Sequence, residues 1–437
     1  MVFESFSFSG KSINCYGLEI VKKKLKSIGH EIKPFDNKSE NPVLFSLYWP
    51  EQLYDFMKWR YNMNPKKHVI VGGNTATVNP APLIAMKSDV FLGDGELFDN
   101  GNEYIVSLNT HKPVKKAFCE NIYPIKFEDV QDNRRTFCEM SRGCRNKCMF
   151  CQYGWLKPYR ESDIADLMHT INSAKTKSIR IFAADRFQHS KYPEIRHILD
   201  KKGKCDTGSD ASLKFILKNP DYLKYTRKIR VGIEGMSTKL RKMIGKNYTD
   251  DDIVNFCLLL VENNIKCLDF YMIYGLPYEN EDDVIQFKNL LIKLDEKLPI
   301  GYTIAIHWNA FTPSAQTPFQ WASSSYYYNT EHMCKHLFET RENKRIKIMH
   351  KPKFTSKWTI LRRMLAIRSS TKTVNLLYNV NKYKKAPTLL VNKYKEIMGV
   401  DLCGEWPLEK VFPWDKYVIY DKDKMKSLYT NRILKQQ

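Results

Sequence analysis

The 437-residue sequence predicts an α/β protein in three successive parts: a doubly wound parallel sheet, a partial (β/α)6 barrel, and a basic, mainly helical C-terminal region. Two observations predict this order. Short apolar segments alternate with amphipathic helical segments through residues 1–325, which is the pattern of parallel sheets covered by helices. The alternation then stops, and positive charge becomes concentrated instead. We place the three parts at residues 1–125, 126–325 and 326–437.

The first part contains buried-strand patterns separated by helical ones. The strand patterns include PVLFSLYW, HVIVGG and DVFLGDGE, and the helical patterns include LEIVKKKLKSIG and EQLYDFMKWRYNM. Gly-rich turns follow HVIV and DVFL. Ligands of open α/β sheets bind at that edge, so these turns predict a pocket lined by backbone atoms. Its candidate residues are Gly72, Gly73, Asn74, Thr75, Gly93 and Gly95.

The second part repeats the alternation with a longer period, in about six strand–helix units. Its strand patterns include TFCEMSR, IRIFAAD, KIRVGIEG, IKCLDFYMIYGLP and YTIAIHWNAF. Barrels of this kind place their chemistry at the C-terminal ends of the strands. Four features of the sequence fall there: the cysteine loop, Ala183–Asp185, Glu234 and Gly275–Pro277.

The third part carries most of the positive charge of the chain. Between Arg341 and Lys395 there are sixteen Lys and Arg residues against one acid, Glu342, a net of +15 out of +22 for the whole chain. Aromatic residues are interleaved with them. Such a stretch can neutralise phosphates and stack on bases, so it predicts nucleic-acid contact; a helical cap with a solvated basic face is the alternative. The candidate contacts are Lys351, Lys353, Lys357, Arg362, Arg363 and Arg368.

The cysteine count and the apolar pattern bound the location of the protein. Eleven cysteines spread over a long chain do not resemble a secreted disulfide framework. The first residues, MVFESFSFSGK, lack a signal-peptide pattern, and no apolar run approaches 18 residues. We therefore expect a cytoplasmic protein with no membrane association.

Three cysteines stand in a C-x-x-x-C-x-x-C spacing at Cys144, Cys148 and Cys151. A structural zinc site is closed and needs four ligands, and neither Cys119 nor Cys138 lies at the spacing of a zinc knuckle. An iron–sulfur cluster with four irons can instead use three cysteines, which leaves one iron open for a small ligand. A loop at the mouth of a barrel would give a substrate access to that iron.

The sequence around these cysteines resembles a known family. FCEMSRGCRNKCMFCQYGWLKPYRE, with Phe150 just before the last cysteine, resembles the cluster loop of the radical S-adenosylmethionine (SAM) superfamily. KIRVGIEGMSTKLRKMIGKNYTDDDI, FYMIYGLPYENEDDV and FTPSAQTPFQW resemble its later barrel strands, in the same order. VIVGGNTATVNPAPL and DVFLGDGE resemble the cobalamin-binding type of Rossmann domain that precedes the barrel in a large subclass. The resemblance covers residues 40–325 well and the C-terminal region thinly.

The resemblance implies a role for individual residues. The three loop cysteines would ligate three irons of a [4Fe–4S] cluster, and SAM would chelate the fourth. One electron would then cleave SAM to a 5′-deoxyadenosyl radical, which abstracts hydrogen from a substrate. Phe150 would lie near the adenine, with core packing as the alternative. The other residues expected to contact SAM are Ala184, Asp185, Glu234 and Gly275, where Asp185 has a helix N-cap as its alternative role.

The resemblance of the N-terminal domain also implies cobalamin binding. The usual signature D-x-H-x-x-G, which supplies a histidine to cobalt, is absent, and His30 follows a helix rather than the first strand. The domain is therefore expected either to bind cobalamin without a histidine or to be a vestigial scaffold. A methylthiotransferase is disfavoured, because residues 1–110 contain only Cys15 and those enzymes hold a second cluster on three N-terminal cysteines.

Three functional hypotheses follow. The first is a radical SAM enzyme that uses cobalamin, with methylation of tRNA or DNA as the expected outcome. The second is a cobalamin-independent radical SAM enzyme that acts on a small molecule or peptide. The third is a nucleic-acid-binding protein with a structural metal. Either enzyme needs an electron donor such as flavodoxin or ferredoxin. We also expect the cations of the cysteine loop to favour an anionic cluster and a carboxylate-bearing cosubstrate; they are Arg142, Arg145, Lys147, Lys157 and Arg160.

Overall fold

The structure is a computed structural model, and it describes residues 1–6, 16–99, 103–122, 127–128, 135–206, 210–338, 345–351 and 354–433. Cys15 and Lys353 lie outside these residues, as does the side chain of Lys351. In the described part of the chain, no helix is both long enough and apolar enough to cross a membrane.

The N-terminal part is a six-stranded sheet with the strand order β2-β1-β3-β4-β5-β6. Strands β1 to β5 are parallel, and β6 is antiparallel to β5. This order of the parallel strands is that of doubly wound, flavodoxin-like sheets, as the sequence predicts. The strands are β1 (Val2–Ser5), β2 (Glu31–Pro34), β3 (Val43–Ser46), β4 (Val69–Gly72), β5 (Asp89–Phe91) and β6 (Ile105–Val106). The helices are α1 (Tyr16–Ser27), α2 (Gln52–Tyr61), α3 (Asn74–Val78) and α4 (Ala81–Ala85).

The second part contains two curved sheets of parallel strands, which together form the predicted partial barrel. The first sheet has the order β12-β11-β8-β7, in which only β7 is antiparallel, and the second has the order β13-β14-β15-β16-β17. The strands are β7 (Phe127–Glu128), β8 (Arg135–Glu139), β9 (Ser141–Arg142), β10 (Arg160–Glu161), β11 (Ser178–Phe182), β12 (Cys205–Asp206), β13 (Asp210–Ala211), β14 (Ile229–Glu234), β15 (Cys267–Tyr274), β16 (Thr303–Ala310) and β17 (Lys347–Lys351).

Amphipathic helices cover the outside of the barrel strands. The longest two begin with capping boxes, in which Thr249 and Asn280 each exchange hydrogen bonds with the third residue of the helix. Three acids in the first turn of each helix also oppose the positive end of the helix dipole. The helices are α5 (Gln152–Trp155), α6 (Ile164–Ser173), α7 (Tyr192–Lys201), α8 (Leu213–Lys218), α9 (Thr238–Met243), α10 (Asp250–Glu262) and α11 (Glu281–Lys297).

The C-terminal region is mainly helical, but it begins inside the barrel. Strand β17 pairs in parallel with β16, so the barrel sheet continues past the expected boundary at residue 325. The boundary was expected before β17 because β17 lies in the lysine-rich stretch and lacks an apolar strand pattern. The helices are α12 (Thr330–Phe338), α13 (Lys357–Arg368), α14 (Val374–Tyr378), α15 (Pro387–Met398) and α16 (Lys422–Arg432).

The C-terminal region joins the N-terminal sheet to the barrel. The Tyr54 hydroxyl donates to the Arg362 carbonyl at 2.8 Å, and the Asn79 side chain donates to the carbonyls of Ile367 and Ser369 at 2.9 and 2.8 Å. The backbone of Val114 also exchanges hydrogen bonds with that of residues 417 and 419. We call these contacts the C-terminal clamp.

Candidate active site

The cysteine loop leaves the end of β8 and is closed at its base by the short antiparallel pair β9 and β10. Gly143 starts the loop with φ +75°, and a Cβ there would lie 2.4 Å from the Pro158 carbonyl, so the turn requires glycine. Trp155 donates to the Cys148 carbonyl at 2.8 Å. The Met149 amide donates to the Ile244 carbonyl at 3.0 Å, which fixes the loop to the C-terminal edge of the barrel.

Burial controls the chemistry of the three loop thiols. It raises the pKa of Cys144, Cys148 and Cys151, that of Cys151 to about 12. Such thiols stay protonated and inert until a metal binds and displaces the proton. Within the described residues, no three His, Cys, Asp or Glu side chains are grouped so that they could hold one metal ion. Three cysteines without a fourth suit a cluster, which spreads its thiolates over several irons, better than a structural zinc ion, which gathers four ligands around one point.

Asp185 follows β11 at the same edge of the barrel. Gln188 donates to its Oδ2 at 2.7 Å and the Ser212 amide at 3.0 Å, whereas its Oδ1 is buried without a hydrogen-bond partner. Its side chain does not cap the short helix that follows. Burial raises the pKa of Asp185 to about 6. An unpartnered carboxylate oxygen of this kind suits a ligand that brings its own donor, such as an ammonium group.

Glu234 ends β14 in an uncommon backbone conformation, with φ +66°. The pairing of β14 with β15 shifts register between Gly232 and Glu234, as at a β-bulge, which re-aims the side chain. A Cβ at Gly232 would lie 2.1 Å from Glu234 Oε1, so glycine leaves room for the carboxylate. Burial raises the pKa of Glu234.

Lys246 lies beside this carboxylate and was not predicted from the sequence. Its Nζ is 3.6 Å from Glu234 Oε1 and donates to the Gly232 carbonyl at 2.6 Å. Burial alone would lower the pKa of Lys246, but the acidic groups around it, which include Tyr248 and Cys148, raise it above its usual value. The ammonium group of Lys246 thus places a positive charge next to the thiols.

One cavity of about 1660 Å3 brings the features of both parts of the chain together. Single-ligand pockets are typically about 300–1,000 Å3, so this cavity has room for more than one group. Phe150, Asn309 and the ring of Tyr271 line it on the barrel side. The predicted site residues that line it are Cys144, Cys148, Cys151, Phe150, Ala184, Asp185, Glu234, Gly72, Gly73, Asn74, Gly93 and Gly95.

The glycine turns of the N-terminal sheet form the opposite wall. Some of these glycines are required by close packing, whereas one faces open space. A Cβ at Gly93 would lie 2.2 Å from the Ala117 carbonyl, and one at Gly73 would lie 2.4 Å from the Leu47 carbonyl, so both are required by the packing of the chain. A Cβ at Gly72 would meet nothing within 4 Å, so this glycine faces open space. Thr75 lies beneath the wall rather than on it.

Histidine is absent from the described lining of the cavity. His30 precedes β2, at the edge of the sheet away from the cavity, and packs edge-on against Phe3 with ring centroids 5.4 Å apart. Residues 7–15, which follow β1, lie outside the described residues, and their sequence contains no histidine. The described lining of this wall therefore offers backbone atoms and open space, but no imidazole that could bind cobalt.

Asp94, in the turn after β5, pairs with three of the five cations of the cysteine loop. Its buried carboxylate lies 3.1 Å from Arg142, 3.0 Å from Lys157 and 2.7 Å from Arg160. Burial alone would raise the pKa of Asp94, but these three cations hold it well below its usual range. The ion pair between Asp94 and Arg160 joins the N-terminal sheet to the barrel.

Most of the loop cations have partners within the protein, and Arg142, Arg145, Lys147 and Lys157 also line the cavity. The expectation that they favour the cluster and the cosubstrate stays a prediction. Arg142 also pairs with Glu96 and Glu139 at 2.7 and 2.6 Å. Arg145 pairs with Glu161 at 2.9 Å. Lys147 donates to the Gly154 carbonyl and lies over the Trp155 ring. These contacts stabilise the position of the cysteine loop.

Gly275 also differs from its expected role. A Cβ at this position, where φ is +70°, would lie 2.3 Å from the Cβ of Ser325, and Gly275 is not part of the cavity lining. Its small size therefore admits the segment at Ser325 and does not serve an adenine. A glycine at a strand end has the same sequence pattern whether a ligand or another segment of the chain packs against it.

Of the three arginines expected to contact nucleic acid, one is internal and two are half-buried. Arg368 is 1% exposed, donates to the carbonyls of four residues and lies over the Trp406 ring, so its expected role is wrong. Arg363 lines the cavity and pairs with Glu51 at 2.5 Å. The guanidinium of Arg362 lies over the Tyr54 ring. Lys357 is exposed at the start of α13.

Comparison with known proteins agrees with this geometry. A family model described as the Radical SAM superfamily matches residues 138–291, which contain the cysteine loop, Asp185 and Glu234. Residues 138–291 thus form a radical SAM domain. Uncharacterized protein MJ0966 of Methanocaldococcus jannaschii is 24% identical to this chain over 282 residues, 59% of this chain and 62% of MJ0966.

Solved structures of the cobalamin-dependent SAM radical enzyme OxsB have a similar fold. The structure with aqua-cobalamin and SAM bound has a TM-score of 0.51 at 12% identity, covering 67% of this chain and 52% of OxsB. The apo structure has a TM-score of 0.50 at 13% identity, covering 66% and 51%. The chain therefore spans less than two thirds of the length of either relative. A radical SAM domain implies a [4Fe–4S] cluster and SAM as cofactors, and the residues around the loop fit both.

Proposed function

We propose that this radical SAM protein cleaves SAM reductively in the cavity between its two sheets and uses the resulting radical to modify a substrate. The observation that supports the proposal is the continuity of that cavity. The three loop cysteines, the unpartnered oxygen of Asp185 and the open backbone at Gly72 all face it. When bound, the cluster supplies one electron that splits SAM into methionine and a 5′-deoxyadenosyl radical.

The residues of the barrel edge would bind and orient SAM. Asp185 Oδ1 would accept a hydrogen bond from the SAM ammonium group, which provides the partner that this oxygen lacks. Lys246 would pair with the SAM carboxylate, because it is a cation held next to the thiols. Glu234 would accept from a hydroxyl of the ribose, and Phe150 would pack on the adenine. The apolar wall around them would keep water from the radical.

We further propose that the N-terminal wall holds a cobalamin, so that methyl transfer is the outcome of the reaction. The size of the cavity and the open space at Gly72 support this, as does the fold shared with OxsB. Without a histidine on the described lining, the cobalt would have no imidazole ligand from this wall. A small molecule or peptide that is modified without cobalamin is the alternative outcome.

We propose nucleic acid, either tRNA or DNA, as the substrate class and flavodoxin or ferredoxin as the electron donor. The net charge of +22 supports a polyanionic partner. Of the arginines expected to make this contact, Arg368 is buried and Arg363 pairs with Glu51, so we place the contact surface elsewhere on the molecule.

Anaerobic reconstitution with iron and sulfide tests the central proposal. The protein should turn brown and, with dithionite and SAM, should release 5′-deoxyadenosine and methionine. Cys148→Ala should lose the colour and both products, whereas Cys267→Ala, a matched change at an exposed cysteine outside the loop, should keep them. A colourless protein that holds zinc would contradict the proposal. Corrinoid content after anaerobic purification tests the cobalamin step separately.

A further inference from the structure

A group of exposed lysines lies outside the cavity, on the surface shared by α2, α14 and α15. Each is solvent-exposed, and none has a carboxylate within 4 Å in the described part of the chain. This separates them from Arg363 of α13, which pairs with Glu51, and from Arg368, which is buried against backbone carbonyls. We call this group the lysine surface; it consists of Lys58, Lys372, Lys382, Lys384, Lys385 and Lys393.

Helix α2 connects the cavity to the lysine surface. The helix starts at the cavity mouth, where Trp49 and Gln52 line the wall. It ends at Tyr61, whose ring meets that of Tyr378 in α14 at 5.8 Å between centroids. Its ten residues correspond to about 15 Å. Successive nucleotides of a stacked strand advance about 3.4 Å along its axis, so this distance corresponds to about four stacked nucleotides.

Exposed aromatic rings line the same path. Trp49 is 53% exposed, Tyr153 is 45% exposed and Tyr61 is 76% exposed. Trp49 and Tyr153 both border the cavity mouth, on the N-terminal sheet and on the cysteine-loop side respectively. Large exposed rings are costly in water, and beside unpaired lysines they have the composition of a surface that stacks bases and follows a phosphate backbone.

We propose that the lysine surface binds the backbone of a single-stranded segment of nucleic acid, whose bases stack on Tyr61, Trp49 and Tyr153 on the way to the cavity mouth. The proposal rests on the proposed function for the chemistry that follows, but the binding itself does not depend on it. Asp55 lies on the same face of α2, three residues before Lys58, and opposes the phosphates. Its position gives the surface a negative charge whose removal should strengthen binding.

Two variants with the same change in charge test the location of the contact. Lys382→Gln/Lys384→Gln/Lys385→Gln removes three charges from the lysine surface. Lys201→Gln/Lys202→Gln/Lys266→Gln removes three from exposed lysines that precede β12 and β15, at the end of the barrel away from the cavity. The probes are labelled single-stranded RNA and DNA of about 20 nucleotides, a duplex DNA of the same sequence and anionic lipid vesicles, measured by anisotropy or co-sedimentation at several salt concentrations.

The expected effect follows from counterion release. Each phosphate contact to a single strand contributes a salt slope of about −0.7, so losing three contacts reduces the slope by about 2 and the affinity at 0.1 M salt by roughly 100-fold. The control variant should bind like the wild type. Trp49→Ala should weaken single-strand binding about 5- to 150-fold with no change in slope, because stacking is independent of salt. Asp55→Asn should tighten binding.

Several results would overturn the inference. They are a wild type that binds neither single strand at low salt, equal loss in the two triple variants, preference for duplex DNA, or binding to vesicles at least as tight as to RNA and DNA. Reductive SAM cleavage without nucleic acid is measured on the same preparations and should be equal in the wild type and both triple variants. SAM cleavage without nucleic-acid binding overturns this inference alone, and binding without SAM cleavage contradicts the proposed function alone.

Discussion

The Asp94→Asn substitution should separate the two walls of the cavity. Asp94 belongs to the N-terminal sheet, whereas its partners Arg142, Lys157 and Arg160 belong to the cysteine loop and its flank. The carboxylate is 0% exposed, so asparagine would leave buried cations without their shared anion. The substitution keeps the volume and removes only the charge.

The magnitude can be worked from the partners that remain. Removing one member of a buried ion pair costs about 3–5 kcal/mol. Arg142 would keep Glu96 and Glu139, and Lys157 is 18% exposed and can be hydrated. Arg160 would keep the carbonyls of Pro158 and Cys119, the Cys119 sulfur and the contact with the Phe118 ring. We therefore expect the lower end of the range, about 3 kcal/mol.

Urea unfolding of the full chain measures this loss as a lower midpoint with an unchanged slope. Asp99→Asn, at an exposed acid in the same turn, should stay within about 0.5 kcal/mol of the wild type. Because the folded-state pKa of Asp94 is lowered from 3.8, its contribution is complete above about pH 4 and is lost as the pH falls further. The gap between wild type and variant should therefore close in acid.

A double variant provides the decisive comparison. Arg160 is more buried than Lys157, so its charge is the harder one to hydrate. Arg160→Met removes that charge, so Asp94→Asn/Arg160→Met should lose less than the sum of the two single changes, by about 1–3 kcal/mol. The reasoning would be refuted by an Asp94→Asn cost below about 1 kcal/mol, or by additivity within about 0.5 kcal/mol.

Three further predictions test other parts of the molecule. The pKa of Asp185 is raised to about 6, so the carboxylate that binds an ammonium group forms as the pH rises. SAM affinity should therefore increase about tenfold from pH 5 to 7 and then level off. In equilibrium dialysis, Asp185→Asn should weaken SAM binding and abolish this pH dependence. Gly72→Leu should fill open space and block corrinoid binding in anaerobic titration while leaving SAM cleavage intact, whereas Gly72→Ala should retain both; corrinoid bound by the leucine variant would argue against this wall. Arg368→Met should cost about 3 kcal/mol or more in urea unfolding, because it strands buried carbonyls, with no change in the salt slope of nucleic-acid binding; a changed slope would restore Arg368 as a contact.

The sequence predicted those parts of the fold and site that depend on local pattern. Strand–helix alternation sufficed for the parallel sheets, and the spacing of Cys144, Cys148 and Cys151 sufficed for a loop at a strand end. Glu234 was expected because it ends a barrel strand pattern and because the family resemblance assigns that position to SAM. Each of these features is encoded within about ten residues of chain.

The features that were missed depend on which distant residues meet. Arg368 reads as a basic surface residue until the carbonyls of residues 402 and 404 close around it. Lys246 stands twelve positions after Glu234 in an unremarkable turn, and only the folded barrel brings the two together. Asp94 lies in a glycine turn that suggests a ligand, whereas its partners are cations about 50 to 65 residues away. No local pattern contains this information.

The C-terminal clamp limits how a substrate can reach the radical. Because the clamp joins the N-terminal sheet at Tyr54, Asn79 and Val114, the two walls cannot hinge apart without breaking hydrogen bonds to backbone carbonyls. A polymer cannot enter such an enclosure whole; it has to release one unit from its own structure, as a base is swung out of a stack. The energy of that release differs between paired, mismatched and looped positions, so a rigid cavity would choose its target by how readily the polymer deforms.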